Sequence, residues 1–124
     1  MFQPPSDPTP TRPLALALAG SDVAPAAAYL GRPCHYLEEA QLRHCDAAYG
    51  SRRRFAPEVI DAMDEAVSRL KQRTGSKRVS LIGHSGGGVI AALLAMRRDD
   101  VGSLITVAAP RSRPSLRPRR SFAW

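Results

Sequence analysis

The spacing of apolar residues between positions 57 and 75 predicts an amphipathic helix. Five apolar residues recur there at three- and four-residue spacing, which places them on one face of an α-helix. They are Val59, Ile60, Met63, Val67 and Leu70. Pro57 suits the first helical turn, and Gly75 suits the left-handed conformation that ends many helices. We therefore expect a helix over residues 57–75 with this stripe in the core.

Two continuous apolar runs and a third apolar segment between them follow this helix. Residues 78–83 (RVSLIG) predict a buried strand, and residues 103–110 (SLITVAAP) predict another. Between them, residues 87–96 (GGVIAALLAM) are apolar nearly all round, which predicts a helix buried between layers. Alternation of strands and helices is typical of parallel strands joined by right-handed crossovers. The pattern predicts an α/β fold: a partial three-layer sandwich with a mostly parallel sheet, about three strands and three helices.

The amino-terminal part of the chain has weaker periodicity. Leu14, Leu16 and Leu18 alternate as in a strand. Leucine and the intervening alanines are nevertheless strong helix formers, so a short helix over residues 14–19 is favoured. A short apolar run, broken by a glycine and a proline, predicts a strand near residues 28–30. Residues 1–12 are proline-rich and residues 111–124 are rich in Arg, Pro and Ser, so we expect both to be disordered and residues 13–110 to form the folded domain.

The charge of the chain excludes some classes of function. The 124 residues carry a net charge of +7, but five arginines without any acid lie in residues 111–124. The excess is therefore concentrated outside the predicted fold, and no specific nucleic-acid partner is expected. No apolar stretch has the roughly 18 residues that a membrane span needs. The first residues lack the charged and apolar regions of a secretion signal, so the sequence leaves the localisation unknown.

The two cysteines, Cys34 and Cys45, lie eleven positions apart. They could form a disulfide if the chain were exported, but two buried free thiols are the favoured interpretation. A histidine adjoins each cysteine, at His35 and His44. Zinc ligands are usually separated by two to four residues, and adjacent residues of an extended chain point to opposite faces. We therefore expect no metal.

A glycine-rich corner separates the predicted strand from the apolar helix. The residues Gly83-His84-Ser85-Gly86-Gly87 fit the pattern G-x-S-x-G between a strand and a helix. This corner, with the helix before it and the strand after it, resembles the nucleophile elbow of the α/β-hydrolase fold family. The resemblance covers residues 57–109 and extends back toward residue 26.

The resemblance implies a site built on a serine. Ser85 would be the nucleophile and Gly86 one oxyanion donor, while Gly83, His84 and Gly87 shape the elbow. It also implies action on a small-molecule substrate with an ester or similar acyl bond, without a cofactor. In the family the acid and then the histidine follow the serine.

The sequence departs from that order. After Ser85 the only acids are Asp99 and Asp100, and no histidine follows. The two aspartates leave the helix at the end of the sheet opposite to the serine. The catalytic base and acid are therefore unknown, and we expect this chain to be inactive alone. The departure predicts a truncated or frameshifted product, or a partial gene model, of a hydrolase cut at both ends.

Two other interpretations remain. The chain could be a non-catalytic fragment or a binding module built on half of a hydrolase. Residues 86–91 also match the dinucleotide pattern G-x-G-x-x-A, but no acid stands about 20 residues further on to bind a ribose. An incomplete sheet would leave open edges, which predicts self-association.

Overall fold

A computed structural model of the chain describes residues 12–50 and 52–108. Over these described residues the fold is α/β, with helices and a parallel sheet of two strands, close to the three strands expected. The chain divides into two compact units, Met1–Lys77 and Arg78–Trp124. The first holds α1 (Leu14–Ser21), α2 (Glu39–Leu42), a 3₁₀ turn (Ala47–Gly50) and α3 (Pro57–Thr74), and the second holds β1 (Val79–His84), α4 (Gly86–Arg97) and β2 (Val101–Val107). The disordered segments expected at 1–12 and 111–124 lie, apart from Arg12, outside the described residues.

Helix α3 forms where the apolar stripe predicts it. Val59, Ile60, Met63 and Val67 are its buried residues. The helix has a proline in its first turn, and Gly75 caps its end with φ 68° and a hydrogen bond from its N–H to the carbonyl of Gln72. The predicted boundaries of this helix and four of its five predicted core residues are therefore confirmed, while Leu70 is only half-buried.

In the region before α3, one predicted element is confirmed and one is wrong. Helix α1 covers the predicted residues 14–19 and extends to Ser21. The strand expected near residues 28–30 is wrong, because those residues have no strand structure. The apolar residues 26–30 include three alanines and stand between Pro25 and Gly31, and alanine, proline and glycine are all disfavoured in strands.

Residues 32–56 form a loop region closed by covalent and polar contacts. Cys34 and Cys45 form a disulfide with their Cα atoms 5.9 Å apart, so the expectation of two free thiols is wrong. Two residues that flank His35, Cys34 (φ 67°) and Tyr36 (φ 57°), have left-handed backbone conformations, which makes this a tight turn rather than extended chain. An eleven-residue separation is compatible with free thiols or with a bond, and only the turn brings the two sulfur atoms together.

Glu58, in the first turn of α3, ties this loop region to the helix. Its carboxylate accepts a hydrogen bond from the Tyr49 hydroxyl at 3.0 Å and pairs with Arg53. The guanidinium of Arg53 also lies 5.2 Å from the centre of the Tyr49 ring. The pKa of the Glu58 carboxyl is lowered, first by its own backbone N–H at the helix start and further by Tyr49 and Arg53. These exposed groups fix the entry of the chain into α3.

The second unit is a β-α-β motif with the connection predicted from the sequence. Strands β1 and β2 are parallel, with Leu81 opposite Leu104 and Ile82 opposite Ile105. Helix α4 packs against both strands. The buried residues of the helix are Gly88, Ile90, Ala91 and Leu94. A short salt bridge closes the turn into β2, since Arg98 holds both carboxylate oxygens of Asp100 at 2.8 Å.

The second unit buries fewer of its apolar side chains than its apolar runs predict. Exposure alternates along β1, where Gly83 is the one buried residue and Ile82 is 41% exposed. Ile105, its neighbour on β2, is 52% exposed, and Met96 of α4 is 65% exposed. The strand expected to be buried therefore has one exposed face, whereas α4 is exposed only at its last two residues, Met96 and Arg97. A high density of apolar residues does not distinguish one covered face from two.

Candidate functional site

Ser85 lies in a turn with strained backbone at the carboxyl end of β1. Its φ of 52° and ψ of −120° lie outside the regions that residues with a Cβ ordinarily occupy. The residue before it ends β1, and the residue after it begins α4, so the chain reverses direction within a single residue. The side chain is exposed and forms no capping hydrogen bond to the helix. Such strain is concentrated at functional sites, where it costs about 1–3 kcal/mol per residue.

Two glycines flank the turn, and the structure gives them different roles. A Cβ atom at Gly83 would lie 2.6 Å from the Cα of Gly88 and would also collide with the backbone of Gly87. A Cβ atom at Gly87 would meet nothing within 4 Å. Gly83 is therefore required for the close approach of α4 to β1. Gly87 does not need to be a glycine for reasons of space, although its backbone is one of the atoms that Gly83 must avoid.

The neighbouring strand holds Ser85 from the side. The backbone N–H of Ser85 donates a hydrogen bond of 2.8 Å to the carbonyl oxygen of Val107, the last residue of β2. Ala108 follows with φ 49°, a second left-handed conformation at the same edge of the sheet. The sequence gives no signal for this contact, because neither valine nor alanine favours such a position. The serine is thus fixed by two strands as well as by its own turn.

The N-terminus of α4 adds polar groups beside the Ser85 hydroxyl. Gly86 is the first residue of the helix, and the N–H groups of a first helical turn have no acceptor within the helix. The aligned peptide dipoles place partial positive charge at the same end. A hydroxyl followed by a free backbone donor can attack a carbonyl carbon while the donor binds the oxygen that becomes negative. The arrangement therefore suits a nucleophile with one oxyanion donor.

The aspartates after Ser85 lie at the other end of the strand. The carbonyl of Asp100 accepts a hydrogen bond from the N–H of Val79, the first residue of β1. With a rise of about 3.3 Å per residue, that point is roughly 20 Å from Ser85. The carboxylate of Asp100 is engaged by Arg98, and the two side chains are only 14% and 10% exposed. Asp100 is therefore an ion-pair partner in the turn before β2, as its position in the sequence predicts, and not an acid near Ser85.

The histidines are placed in three different environments. His84 is the exposed last residue of β1. His44 is exposed and His35 is buried, both in the first unit. Within residues 12–50 and 52–108, no three His, Cys, Asp or Glu side chains are grouped in a way that could hold a metal ion. In the same residues no helix combines the length and apolar character that crossing a membrane would require.

Comparison with known proteins gives one match. The family model described as alpha/beta hydrolase fold matches residues 20–123, which is most of the chain and includes β1, Ser85, α4 and β2. No curated protein and no solved structure gives a significant match. The match begins earlier and ends later than the region where the sequence alone shows a resemblance.

Proposed function

The chain belongs to the alpha/beta hydrolase fold family, and from the geometry of its β1–α4 turn we infer that Ser85 is the nucleophile of an acyl-hydrolase site. The observation that carries this proposal is the strained Ser85 backbone (φ 52°) between a strand and a helix. A serine with an exposed side chain has no packing reason to adopt a conformation that glycine adopts without strain. Presentation of the hydroxyl above the sheet edge supplies a reason.

The proposed chemistry is acyl transfer to Ser85. The hydroxyl oxygen attacks the carbonyl carbon of an ester or a similar small-molecule substrate, and a base takes the hydroxyl proton. The carbonyl oxygen gains negative charge, which the N–H of Gly86 stabilises together with the N-terminal end of α4. The alcohol leaves with a proton, and water then releases the acid from the serine. Gly83 and His84 shape the approach to the turn.

The base is the unassigned part of this proposal. A serine hydroxyl is a weak nucleophile until a histidine accepts its proton. All three histidines of the sequence precede Ser85, and none follows it. The chain alone is therefore expected to be inactive on its substrate, although Ser85 can still react slowly with a strongly electrophilic probe. A second candidate function is that of a non-catalytic member of the family, which binds a ligand at the same turn.

A fluorophosphonate probe separates these two functions, because it phosphonylates activated serines. The expected result is slow, saturable labelling of a peptide that contains Ser85, with loss of labelling in Ser85→Ala. Ser80→Ala is the matched control, since Ser80 is an exposed serine on β1, the strand that leads into the Ser85 turn. This control should be labelled like the unmodified protein.

Two results would reject the nucleophile. One is a folded protein, shown by a circular dichroism spectrum with both helix and strand, that the probe does not label at all. The other is labelling at Ser80 and Ser85 to the same extent, which would reflect exposure alone. The first result would leave the binding function as the better proposal.

The open sheet face supports a further part of the proposal, self-association of the chain. Ile82 and Ile105 are paired across the two strands and are 41% and 52% exposed. Burying such side chains against a second copy would be favourable by about 25 cal/mol per Å² of apolar surface. Sedimentation velocity should show dimers or larger species that dissociate in Ile82→Lys. A monomer at all concentrations would contradict this expectation.

A further inference from the structure

Arg32 lies half-buried in the turn that the disulfide closes. Its Nη2 atom is 3.2 Å from Nε2 of His35, whose Nδ1 is 3.2 Å from the carbonyl oxygen of Pro33. An arginine can only donate a hydrogen bond and a carbonyl oxygen can only accept one. Both contacts are therefore satisfied together by a neutral His35 with its proton on Nδ1. The buried imidazole holds one end of the Arg32 guanidinium in a fixed position.

The other end of this guanidinium has no partner. Nη1 of Arg32 is buried, and it donates no hydrogen bond to any residue that the structure describes. Leaving a buried donor of a charged group without an acceptor costs more free energy than leaving a neutral donor unpaired. Buried polar groups in folded proteins are nearly always paired, and an orphan indicates an ion or water at that place. A second observation decides which of the two fits.

No carboxylate of the described residues balances the positive charge of Arg32. Burial lowers the pKa of Arg32, and the neighbouring charge of Arg54 lowers that pKa further. Among the described residues, no carboxylate forms an ion pair with Arg32 or Arg54. The adjacent Arg53, in contrast, pairs with both Asp46 and Glu58. Arg54 is exposed and stacks over Phe55, with its guanidinium carbon 4.9 Å from the ring centre. Such an exposed side chain moves at small energetic cost.

We propose that Arg32 and Arg54 form a binding site for a small oxyanion, a carboxylate or phosphate group, which accepts the hydrogen bond that Arg32 Nη1 lacks. An oxyanion supplies an acceptor and also offsets the repulsion between the two guanidinium groups. Guanidinium groups bind both kinds of oxyanion because their paired N–H donors match two oxygen atoms. Water would satisfy the donor but would leave the two charges unbalanced. This site is independent of Ser85 and requires no catalytic activity.

The test is a thermal-shift titration of the full-length protein with sodium phosphate and, separately, with sodium acetate. Sodium chloride at the same ionic strength is the reference. The expected result is a saturable rise in melting temperature with one or both oxyanions beyond the rise with chloride. The arm with the larger shift identifies phosphate or carboxylate as the preferred group.

Variants locate the effect. Arg54→Gln lies on the surface and should fold normally while weakening oxyanion affinity at least five-fold. Arg32→Lys should abolish the saturable shift, because an ammonium group cannot bond to His35 and to the anion with the same geometry. Arg53→Lys is the matched control and should bind as the unmodified protein does. Equal shifts with chloride and both oxyanions would overturn the proposal and assign water to the orphan donor, as would unchanged affinity in Arg54→Gln.

Discussion

The β1–α4 turn and the loop region of residues 32–56 are both tight structures with left-handed residues, but they are stabilised in different ways. At the turn, strain at Ser85 is held by regular elements on every side: a strand before it, a helix after it, and the Val107 carbonyl beside it. In the loop region, Cys34 and Tyr36 have comparable φ values. Apart from His35 and Ala48, no side chain described there is buried. The loop is held by a disulfide and polar contacts, so its stability depends on a few specific bonds.

The largest expected effect is at Gly83. Gly83→Ala places a Cβ against the backbone of Gly87 and Gly88, and backbone atoms cannot move aside as a flexible side chain can. We expect a loss of about 3 kcal/mol or more in the free energy of unfolding, measured by urea denaturation. Gly87→Ala is the matched control, because its Cβ meets open space and alanine favours helix by up to about 1 kcal/mol. Equal destabilisation by both substitutions would show that α4 does not pack on β1 as described.

The disulfide should have the next largest effect. Replacing both cysteines by serine (Cys34→Ser with Cys45→Ser) removes the constraint on the loop, and we expect a loss of about 2–3 kcal/mol. Hydrogen exchange should show faster exchange of amides in residues 35–45, while the amides of α3 retain more protection than those of the loop. Unchanged exchange in residues 35–45 would mean that the polar contacts hold the loop without the covalent bond.

A smaller effect of opposite sign is expected at Ser85. Ser85→Gly keeps the turn but removes the steric strain of φ 52°, so it should stabilise the protein by about 1 kcal/mol relative to Ser85→Ala. Both variants lack the hydroxyl, so the difference between their free energies of unfolding reports the backbone strain at position 85. If the alanine variant proved as stable as the glycine variant in urea denaturation, the turn would not be strained.

The smallest effect concerns the pH dependence of the first unit. The pKa of Glu58 is lowered in the folded protein, so the contribution of its charge to stability is fully present above the ordinary glutamate pKa of about 4.3. It is lost as the pH falls through the lowered value. Glu58→Gln should therefore lower the free energy of unfolding at pH 7. At pH 3 the variant and the unmodified protein should differ less. A difference that grows toward low pH would contradict the sign of this pKa shift.

The sequence predicts those parts of the fold that depend on periodicity and on glycine. The stripe along α3, the parallel arrangement of β1 and β2, and the turn at Ser85 all follow from local patterns. The family match over residues 20–123 confirms the resemblance found at the glycine-rich corner. Roles of individual residues in catalysis remain predictions, because fold membership does not assign them.

The sequence does not predict features that arise from contacts between distant or irregular segments. The disulfide depends on a turn at residues 34–36 that no residue type there favours, and the strand expected at 28–30 fails because an apolar run can equally lie in irregular chain. The cationic residues 52–54 look alike in sequence. In the structure Arg53 pairs with carboxylates, whereas Arg54 pairs with no carboxylate of the described residues and stacks over Phe55. Such differences depend on geometry rather than on composition.

The most direct test of the central claim measures the electrostatic environment at position 85 without requiring a catalytic base. Ser85→Cys introduces a thiol at the N-terminus of α4. Ser80→Cys introduces a thiol on β1 and serves as the control. The rate of alkylation by iodoacetamide against pH gives the pKa of each thiol. We expect the pKa at position 85 to be lowered by roughly one unit from the usual value of about 8.5, with position 80 near that value. Equal pKa values at the two positions would contradict the claim that the turn activates the residue it presents.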